Sequence, residues 1–326
     1  MQSRKKHVMV KISVVIPTYN RAGLIGETLA AVFAQTLAPD EVIVVDDGST
    51  DDTRSVLAGY GSRVRPLLVA NGGELVARNT GLRAAAGDLV AFCDSDDLWM
   101  PDFLATMSAQ WRAEPKLMAC YSDHRILKDG ALSARSKFAD APDAYWSGLR
   151  PAGSDAGVFD CPIVERLLAF QPLFPSCMMV SRATFLEAGG WDEGVSRVVG
   201  CDFATVLRVA ARPPLGIVRR PLATIRKHAG NFSGDTERMN LGDARVLEHV
   251  LRTRPELAPL QDAIRNSVML RRRDALDSAF SRSDLAAVRE IYRLLPGGQP
   301  AMQRAKRVIA GLPRPLDRFV AALLSR

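Results

Sequence analysis

Residues 12–20 have the sequence ISVVIPTYN, a short run rich in β-branched residues that ends in a proline and three polar residues. A run of this length and composition, closed by turn-forming residues, predicts a buried strand. Helical patterns and further strand runs follow in alternation, at residues 24–33 (helix), 42–45 (strand), 64–69 (strand), 74–84 (helix) and 89–93 (strand). Such alternation requires crossover connections, so the sequence predicts an α/β fold with a mostly parallel sheet flanked by helices.

Polar clusters follow three of these strand runs, at the point where each run ends. They are residues 17–20 (PTYN), 46–49 (DDGS) and 94–97 (DSDD). Ligands of open α/β sheets bind at the carboxyl ends of the strands. We therefore expect the three clusters to meet in one crevice.

The acidic cluster at residues 94–97 points to a metal ion. Asp94, Asp96 and Asp97 would repel one another if all were ionised in a cleft of low dielectric constant. A divalent cation removes that cost, and Mg²⁺ or Mn²⁺ is bound by one or two protein carboxylates together with phosphates and water. The sequence predicts Mn²⁺ or Mg²⁺ shared with a diphosphate. For residues 46–49 the alternative is a turn that only ends a strand and caps the next helix.

Four motifs in order carry a resemblance to a known family. They are residues 14–20 (VVIPTYN), 44–51 (VVDDGSTD), 77–82 (ARNTGL) and 94–97 (DSDD). In this order and spacing the sequence resembles the family 2 glycosyltransferases over about residues 10 to 230. The resemblance implies a GT-A-type nucleotide-binding fold. It also implies inverting transfer of a sugar from a nucleoside diphosphate sugar to a hydroxyl group.

The same resemblance implies a nucleotide site built from Pro17, Tyr19, Asp47, Arg78 and Asp94. The turn at Pro17 and Tyr19 would hold the base, with the Tyr19 ring as a stacking face. Asp47 would accept a hydrogen bond from a base imide, which favours a UDP-sugar, although a thymidine nucleotide presents the same edge. Arg78 would contact the nucleotide, where its guanidinium suits carbonyl or phosphate oxygens, and Asp94 would face the ribose.

The implied metal ligands are Asp96, with Asp97, and His228, which lies in a segment that resembles a later family motif near the diphosphate. A neutral imidazole is a suitable ligand, although a lone histidine is often only a packed polar residue. Cys201 and Asp202 resemble the acceptor-side segment of the family, in which Asp202 would be the general base. The family commonly has Glu where Cys201 stands, so help from that neighbour is absent.

For Asp202 the alternative is a helix N-cap before Phe203. Asp192, in the preceding GGWDE segment, is interpreted as structural. Two other activities compete with the glycosyltransferase hypothesis: an aspartate-based phosphotransferase built on Asp94 and Asp96, and a sugar-nucleotide-binding module without catalysis. A dinucleotide oxidoreductase is disfavoured because no Gly-x-Gly-x-x-Gly follows the first strand.

The domain organisation and the cellular location follow from composition and pattern. Of 326 residues, 47% are apolar, and the pattern becomes helical after the strand runs end. We expect a catalytic domain at residues 1–234 and a helical region at residues 235–326 that binds a membrane or forms a homodimer. Five scattered cysteines and the lack of an apolar run of membrane-spanning length predict a cytoplasmic protein, soluble or peripheral on the inner face of the membrane.

The end of the sequence carries much of the positive charge. The net charge is +7, and residues 297–326 hold six basic residues against one acid. An apolar stripe with helical spacing lies among them, formed by Leu316, Phe319, Val320, Leu323 and Leu324. This pattern predicts a basic amphipathic helix that lies on an anionic membrane, where a lipid-linked acceptor would be found, or packs on protein. A glycan is the alternative acceptor, as in surface polysaccharide or glycolipid biosynthesis, and no nucleic acid partner is expected.

Overall fold

The computed structural model describes residues 10–228 and 235–312, which form two compact units. The first unit contains residues 10–197 and 205–228. The second contains residues 198–204 and 235–312. The domain boundary expected at residue 234 stays a prediction, and the amphipathic helix expected between Leu316 and Leu324 lies outside the described residues.

The strands of the first unit belong to one mixed sheet. They are β1 (Ile12–Thr18), β2 (Glu41–Asp46), β3 (Arg65–Leu68), β4 (Leu89–Phe92), β5 (Leu98–Trp99), β6 (Ala119–Lys128), β7 (Ala131–Leu132), β8 (Leu149–Pro151), β9 (Ala156–Phe159), β10 (Met178–Ser181) and β11 (Leu215–Lys227). The main path runs β3-β2-β1-β4-β10-β6-β11-β9-β8, with β5 on β11 and β7 on β6. β3, β2, β1 and β4 are parallel, and β10 runs antiparallel between β4 and β6.

Helices connect these strands, and those near residues 25–33 and 74–84 lie at the predicted places. They are α1 (Ile25–Phe33), α2 (Thr53–Ala58), α3 (Glu74–Ala84), α4 (Phe103–Ala113), α5 (Val164–Ala169), α6 (Arg182–Glu187) and α7 (Asp202–Ala210). The first three residues of α7 belong to the second unit and the rest to the first. The strands and helices predicted for the first hundred residues are confirmed, and the structure adds α2 and β5 to them.

The central strands are buried on both faces, which explains their continuous apolar sequences. Every residue of β1 is buried between β2 and β4. α3 lies so close to this sheet that a Cβ added at Gly81 would stand 2.3 Å from Cγ1 of Val15. The glycine of the 77–82 motif therefore allows close packing of the helix on β1 and β2.

β5 joins the acidic turn to the far strand β11. Trp99 pairs with Ala223 and Leu98 with Thr224 in antiparallel register. The Trp99 indole donates a hydrogen bond to the carbonyl oxygen of Ser176 at 2.7 Å. Because the ladder is antiparallel, residues 94–97 come to lie opposite the end of β11.

The second half of the first unit contains short elements that the sequence pattern does not indicate. Residues 128–157 contain β7, β8 and short 3₁₀ helices at Phe138–Asp140 and Asp143–Trp146. Residues 215–227 form the single strand β11, with register shifts on either side of Pro221. Strands of two or three residues are too short to give a periodic pattern, and their positions depend on pairing with neighbours.

The second unit is helical in the part of the chain that the structure describes. Its helices are α8 (Thr236–Thr253), a 3₁₀ helix (Pro255–Leu260), α9 (Gln261–Ser281), α10 (Leu285–Arg293) and α11 (Ala301–Ala310). Its core is made by apolar residues of α9, α10 and α11, among them Leu276, Phe280, Val288 and Ile309. Within residues 10–228 and 235–312, no helix combines the length and apolar content that crossing a bilayer requires.

Candidate active site

The end of β2 fixes Asp47 in one orientation. Its backbone N–H donates to the carbonyl oxygen of Thr18 at 2.9 Å. Its two carboxylate oxygens accept the backbone N–H groups of Gly72 and Gly73, at 2.8 and 2.9 Å. Gly73 has a φ of +94°, and a Cβ there would stand 2.6 Å from Oγ of Ser196. Asp47 is thus buried and held in place, and each of its oxygens keeps a second lone pair for a donor.

The end of β1 is tied to the end of β2 through Asn20. Asn20 has a left-handed φ of 52°, which asparagine tolerates better than most residues. Its backbone N–H donates to Oγ of Ser49 at 2.9 Å, and its side-chain oxygen accepts the backbone N–H of Thr50 at 2.8 Å. Next to it, Pro17 is buried within β1, whereas the side chain of Tyr19 is 44% exposed. The ring of Tyr19 is therefore accessible to a ligand at this strand end.

Arg78 is a buried cation that pairs with Asp94. It is 1% exposed, and its guanidinium donates to Oδ1 of Asp94 at 2.6 Å and lies 3.4 Å from the carboxylate of Glu74. Its guanidinium carbon is 5.0 Å from the centre of the Trp191 ring, within the range of a cation–π contact. Loss of hydration raises the pKa of Asp94, although the Arg78 charge opposes this, and the charges of Glu74 and Asp96 add to it.

Asp96 meets His228 although 132 positions separate them in the sequence. Nε2 of His228 is 3.1 Å from Oδ2 of Asp96, and Nε of Arg21 donates to the same oxygen at 3.3 Å. The carbonyl oxygen of Asp96 accepts a hydrogen bond from Nε of Arg226 at 2.6 Å. Two of the three residues that the resemblance assigns to the metal, Asp96 and His228, are thus in direct contact at the end of β11.

Asp97 is engaged in contacts with the protein itself. It is buried, and one carboxylate oxygen accepts the backbone N–H of Arg226 at 2.9 Å while the other accepts the hydroxyl of Ser176 at 2.5 Å. Burial, and then the charges of Asp94 and Asp96, raise the pKa of Asp97 well above its usual value. This carboxyl group holds the end of β11 beside the acidic turn. Its role as a metal ligand stays a prediction.

The donor set fits a hard divalent cation. Asp96 offers a carboxylate oxygen and His228 an imidazole nitrogen, and these two atoms lie 3.1 Å apart. Among residues 10–228 and 235–312, no three carboxylate, imidazole or thiol groups converge to form a complete protein cage. A site with few protein ligands is what Mg²⁺ uses when phosphates and water complete the shell. The residues present therefore suit an ion that is bound together with a diphosphate.

Asn79, which the sequence reasoning did not single out, holds the segment around Trp191. Its amide accepts the backbone N–H of Trp191 at 2.8 Å and donates to the Trp191 carbonyl at 2.9 Å. It also donates to the carboxylate of Glu193 at 2.7 Å. Gly190 has a φ of +62°, and a Cβ there would stand 2.5 Å from the Asn79 oxygen. The 77–82 motif thus contributes the buried Arg78 and also holds the GGWDE segment.

Asp192 and Asp202 differ in their surroundings. Asp192 accepts the backbone N–H of Gly194 at 3.3 Å and caps the 3₁₀ helix Glu193–Val195, in keeping with its structural interpretation. Asp202 is the first residue of α7 and is half-buried, next to the buried Cys201. Its role as general base stays a prediction.

The comparisons with known proteins agree with this architecture. Residues 13–160 match the family model described as glycosyl transferase family 2. The chain carries a family 2 glycosyltransferase domain. The resemblance seen in the four ordered motifs is therefore confirmed.

A validoxylamine A glucosyltransferase of Streptomyces hygroscopicus subsp. limoneus is 44% identical to the chain over 281 residues, which cover 79% of the chain and 60% of that protein. Alignments with the first curated relatives cover between 30% and 64% of the length of those proteins. The structure of S. aureus TarS in complex with UDP-GlcNAc superposes on the chain with a TM-score of 0.60 at 18% identity. The superposition covers 97% of the chain and 90% of that structure.

The mannosyltransferase PcManGT of Pyrobaculum calidifontis, in complex with GDP-Man and Mn²⁺, has a TM-score of 0.55 at 21% identity. The superposition covers 97% of the chain and 84% of the PcManGT structure. At these identities the likeness concerns the fold, which is the GT-A fold with additional C-terminal helices. The predicted fold class is confirmed.

Several residues of the glycosyltransferase domain were missed because their signals lie outside the motifs. Arg21 directly follows the PTYN cluster and Arg226 stands two positions before His228, so basic residues beside a motif were the available signal. Ser176 gave no signal. It lies in a 3₁₀ turn, Pro175–Cys177, and its role arises only because Asp97 and the backbone N–H of Asp94 both bond to its hydroxyl.

Proposed function

We propose that the glycosyltransferase domain transfers a sugar from a nucleoside diphosphate sugar to a hydroxyl of a glycan or lipid-linked acceptor, with inversion at the anomeric carbon. The contact of Asp96 with His228 at 3.1 Å carries the proposal, because it joins an acidic turn to a distant histidine beside the Arg78–Asp94 pair. A carboxylate, an imidazole and a buried guanidinium are the groups needed to bind a metal diphosphate.

The nucleotide is proposed to lie against the ends of β1 and β2. Asp47 is fixed by two backbone N–H groups and can only accept a further hydrogen bond, which suits the imide N–H of uracil. Tyr19 supplies an exposed ring for stacking beside Pro17. Arg78 and Asp94 face the ribose and phosphate side as a preformed ion pair. A UDP-sugar is therefore the favoured donor.

Asp96 and His228 would hold Mg²⁺ or Mn²⁺, which when bound offsets the charge on the departing diphosphate. The relative PcManGT contains Mn²⁺ together with its nucleotide sugar, which supports this assignment. Asp97 is assigned to the supporting structure, because its hydrogen bonds to Arg226 and Ser176 hold the end of β11 against the acidic turn.

The reaction is proposed to be a single displacement. Asp202 takes the proton of the acceptor hydroxyl while the oxygen attacks the anomeric carbon, and the bond between that carbon and the diphosphate oxygen breaks. The bonding electrons leave with the diphosphate, and Arg78 offsets part of the charge that develops there. A positioned general base contributes about 10²–10⁴-fold to the rate.

The proposal is tested with the purified chain, nucleotide sugars and Mn²⁺. We expect binding of a UDP-sugar, measured by titration calorimetry, to be strengthened by Mn²⁺ and weakened by EDTA. Asp96→Asn should lower metal-dependent donor turnover by about 10²-fold or more, because a metal ion contributes several kcal/mol to charge stabilisation. Asp160→Asn, which alters an exposed carboxylate paired with Arg150, is the matched control and should leave turnover unchanged.

Three results would contradict the proposal. Asp96→Asn and Asp160→Asn could be equally active and equally sensitive to EDTA. Tight donor binding with no turnover across a broad acceptor panel would favour a binding module without catalysis. A phosphorylated aspartate formed from a phosphate donor would favour the phosphotransferase.

A further inference from the structure

Residues 198–204, which contain Asp202, pack against α8 inside the helical unit. A Cβ added at Gly242 of α8 would stand 2.1 Å from the carbonyl oxygen of Val199, so α8 approaches this backbone as closely as a glycine allows. Gly200 has a φ of +77°, and a Cβ there would stand 2.5 Å from Oδ1 of Asp243. Gly242 therefore lets α8 approach the backbone of the Asp202 segment, and Gly200 leaves room for the Asp243 side chain.

An ion pair between α8 and α9 lies next to residues 198–204. Arg271 donates to Oδ2 of Asp243 at 2.8 Å, and the two side chains are 17% and 16% exposed. The guanidinium carbon of Arg271 is 5.3 Å from the ring centre of Phe203, which is buried and directly follows Asp202. Asp243 thus lies beside Gly200, two positions before Asp202. Arg271 packs on Phe203, the residue directly after Asp202.

We propose that the helical unit positions the general base, with Asp243 and Arg271 as the positioning residues that fix the backbone on either side of Asp202. This inference rests on the proposed function, in which Asp202 takes the acceptor proton. The direction of a half-buried carboxylate at the first position of a helix depends on how the flanking backbone is held. A displacement of about 1 Å at a reacting group can lower a rate by about 10²-fold, so a support of this kind affects catalysis without contacting substrate.

α9 provides a matched control in the next residue. Arg272 is also 17% exposed, and it pairs with Glu248 at 2.6 Å and donates to the carbonyl oxygen of Leu294 at 2.9 Å. Arg271 and Arg272 thus stand on the same helix, with the same exposure and the same kind of ion pair. They differ in their contacts. Arg271 contacts Phe203 in the Asp202 segment, whereas Arg272 contacts Glu248 and the carbonyl oxygen of Leu294.

The test compares Arg271→Met with Arg272→Met in the full chain, using the donor and acceptor established for transfer. Methionine keeps the apolar stem of the side chain and removes the charge. We expect Arg271→Met to lower kcat by about 10–100-fold, with the donor Kd measured by calorimetry unchanged. Arg272→Met should leave kcat within about twofold, and Arg271→Lys should recover part of the loss because it retains a cation beside Asp243.

The decisive readout is the combination with Asp202→Asn. Residues that act through one group are strongly non-additive, so Arg271→Met should have little further effect on transfer by the Asp202→Asn enzyme. If Arg271→Met does not fold, Asp243→Asn, which keeps the shape of the side chain, replaces it in the same comparison. Hydrogen exchange of residues 198–204 should rise in the Arg271 and Asp243 variants and stay unchanged in Arg272→Met.

Two results would overturn the inference while leaving the proposed function intact: equal losses of kcat in Arg271→Met and Arg272→Met, or the same loss from Arg271→Met in the Asp202→Asn enzyme as in the wild type. Full transfer activity of Asp202→Asn alone would overturn the assignment of the base, and the inference with it. Metal-dependent donor binding by the Asp202→Asn variant distinguishes that failure from a failure of the donor site.

Discussion

The two units of the molecule use charged side chains in opposite ways. In the sheet unit, charges from distant positions converge: Asp96 contacts His228 across 132 positions and Asp97 bonds to the Arg226 backbone across 129. In the helical unit, several acids pair with a base on the neighbouring helix, as in the Arg272–Glu248 pair, 24 positions apart. The first arrangement crowds three carboxyl groups into one short turn, and the second consists mainly of separate pairs.

Under the proposed function, this difference distinguishes a ligand-binding site from a structural support. Crowded carboxyl groups disfavour ionisation of one another, and burial and neighbouring charges raise the pKa values of Asp94 and Asp97. An arrangement that is unfavourable for the free protein is expected where a ligand compensates it. Isolated pairs between two helices need no ligand, so substitutions there should affect stability modestly.

The largest effect on stability is expected from Asn79→Ala in the sheet unit. The change removes three hydrogen bonds, two of them to the backbone of Trp191, and leaves buried groups without partners. The free energy of unfolding, measured by urea denaturation, should fall by about 2–4 kcal/mol. Thr80→Ala is the control, because its hydroxyl bonds only to the carbonyl of Val76 within α3 among the described contacts. Equal losses in the two variants would contradict this prediction.

A smaller, pH-dependent effect is expected at Asp243 in the helical unit. Burial raises the pKa of Asp243 from its ordinary value of 3.8 to about 6, although Arg271 opposes the shift. The native state therefore binds more protons than the unfolded state between about pH 4 and pH 6, and stability falls as the pH rises through that window.

Asp243→Asn removes this dependence. The stability of the wild type relative to Asp243→Asn should decline by an amount on the order of 1–3 kcal/mol between the low-pH and the high-pH end of the window. Urea denaturation followed by circular dichroism at several pH values measures the decline. Parallel profiles for the two proteins would show that Asp243 has an ordinary pKa.

The smallest effect is expected from Lys306→Met. Lys306 contacts Asp277 at 2.7 Å, but the Asp277 side chain is 43% exposed. Ion pairs with such access to water contribute at most about 1 kcal/mol. Thermal unfolding in low salt and in 1 M NaCl measures the effect, and a large loss that salt abolishes would mean that the helical unit depends on its ion pairs far more than the comparison suggests.

The sequence predicted the parts of the fold that have a strong local pattern. The alternation from β1 to β4 is visible because each buried strand is a continuous apolar run and each helix has an apolar side. The convergence of the strand-end clusters follows from parallel pairing alone. The contact between Asp96 and His228 could be expected only through the family resemblance, because no local pattern relates residues so far apart.

Other parts of the site depend on pairings that leave no local pattern. The sequence predicts Asp97 as a metal ligand but does not indicate that Ser176 and the Arg226 backbone both donate hydrogen bonds to its carboxylate. That contact exists because β5, a strand of two residues, pairs with β11. The structural role of Asn79 could not be predicted either, because it consists of three hydrogen bonds to a segment more than a hundred positions away.

The register shift in β11 determines where residues can be inserted or deleted without breaking the contact between Asp96 and His228. Between the paired positions Val218 and Ala223, four β11 residues face the single residue Asp123 of β6. From Leu222 onward the strand is held by the backbone N–H of Met100 and then by β5. An insertion or deletion at residues 219–221 can be absorbed in the bulge. One at residues 224–227 would shift His228 along the ladder, away from its carboxylate partner.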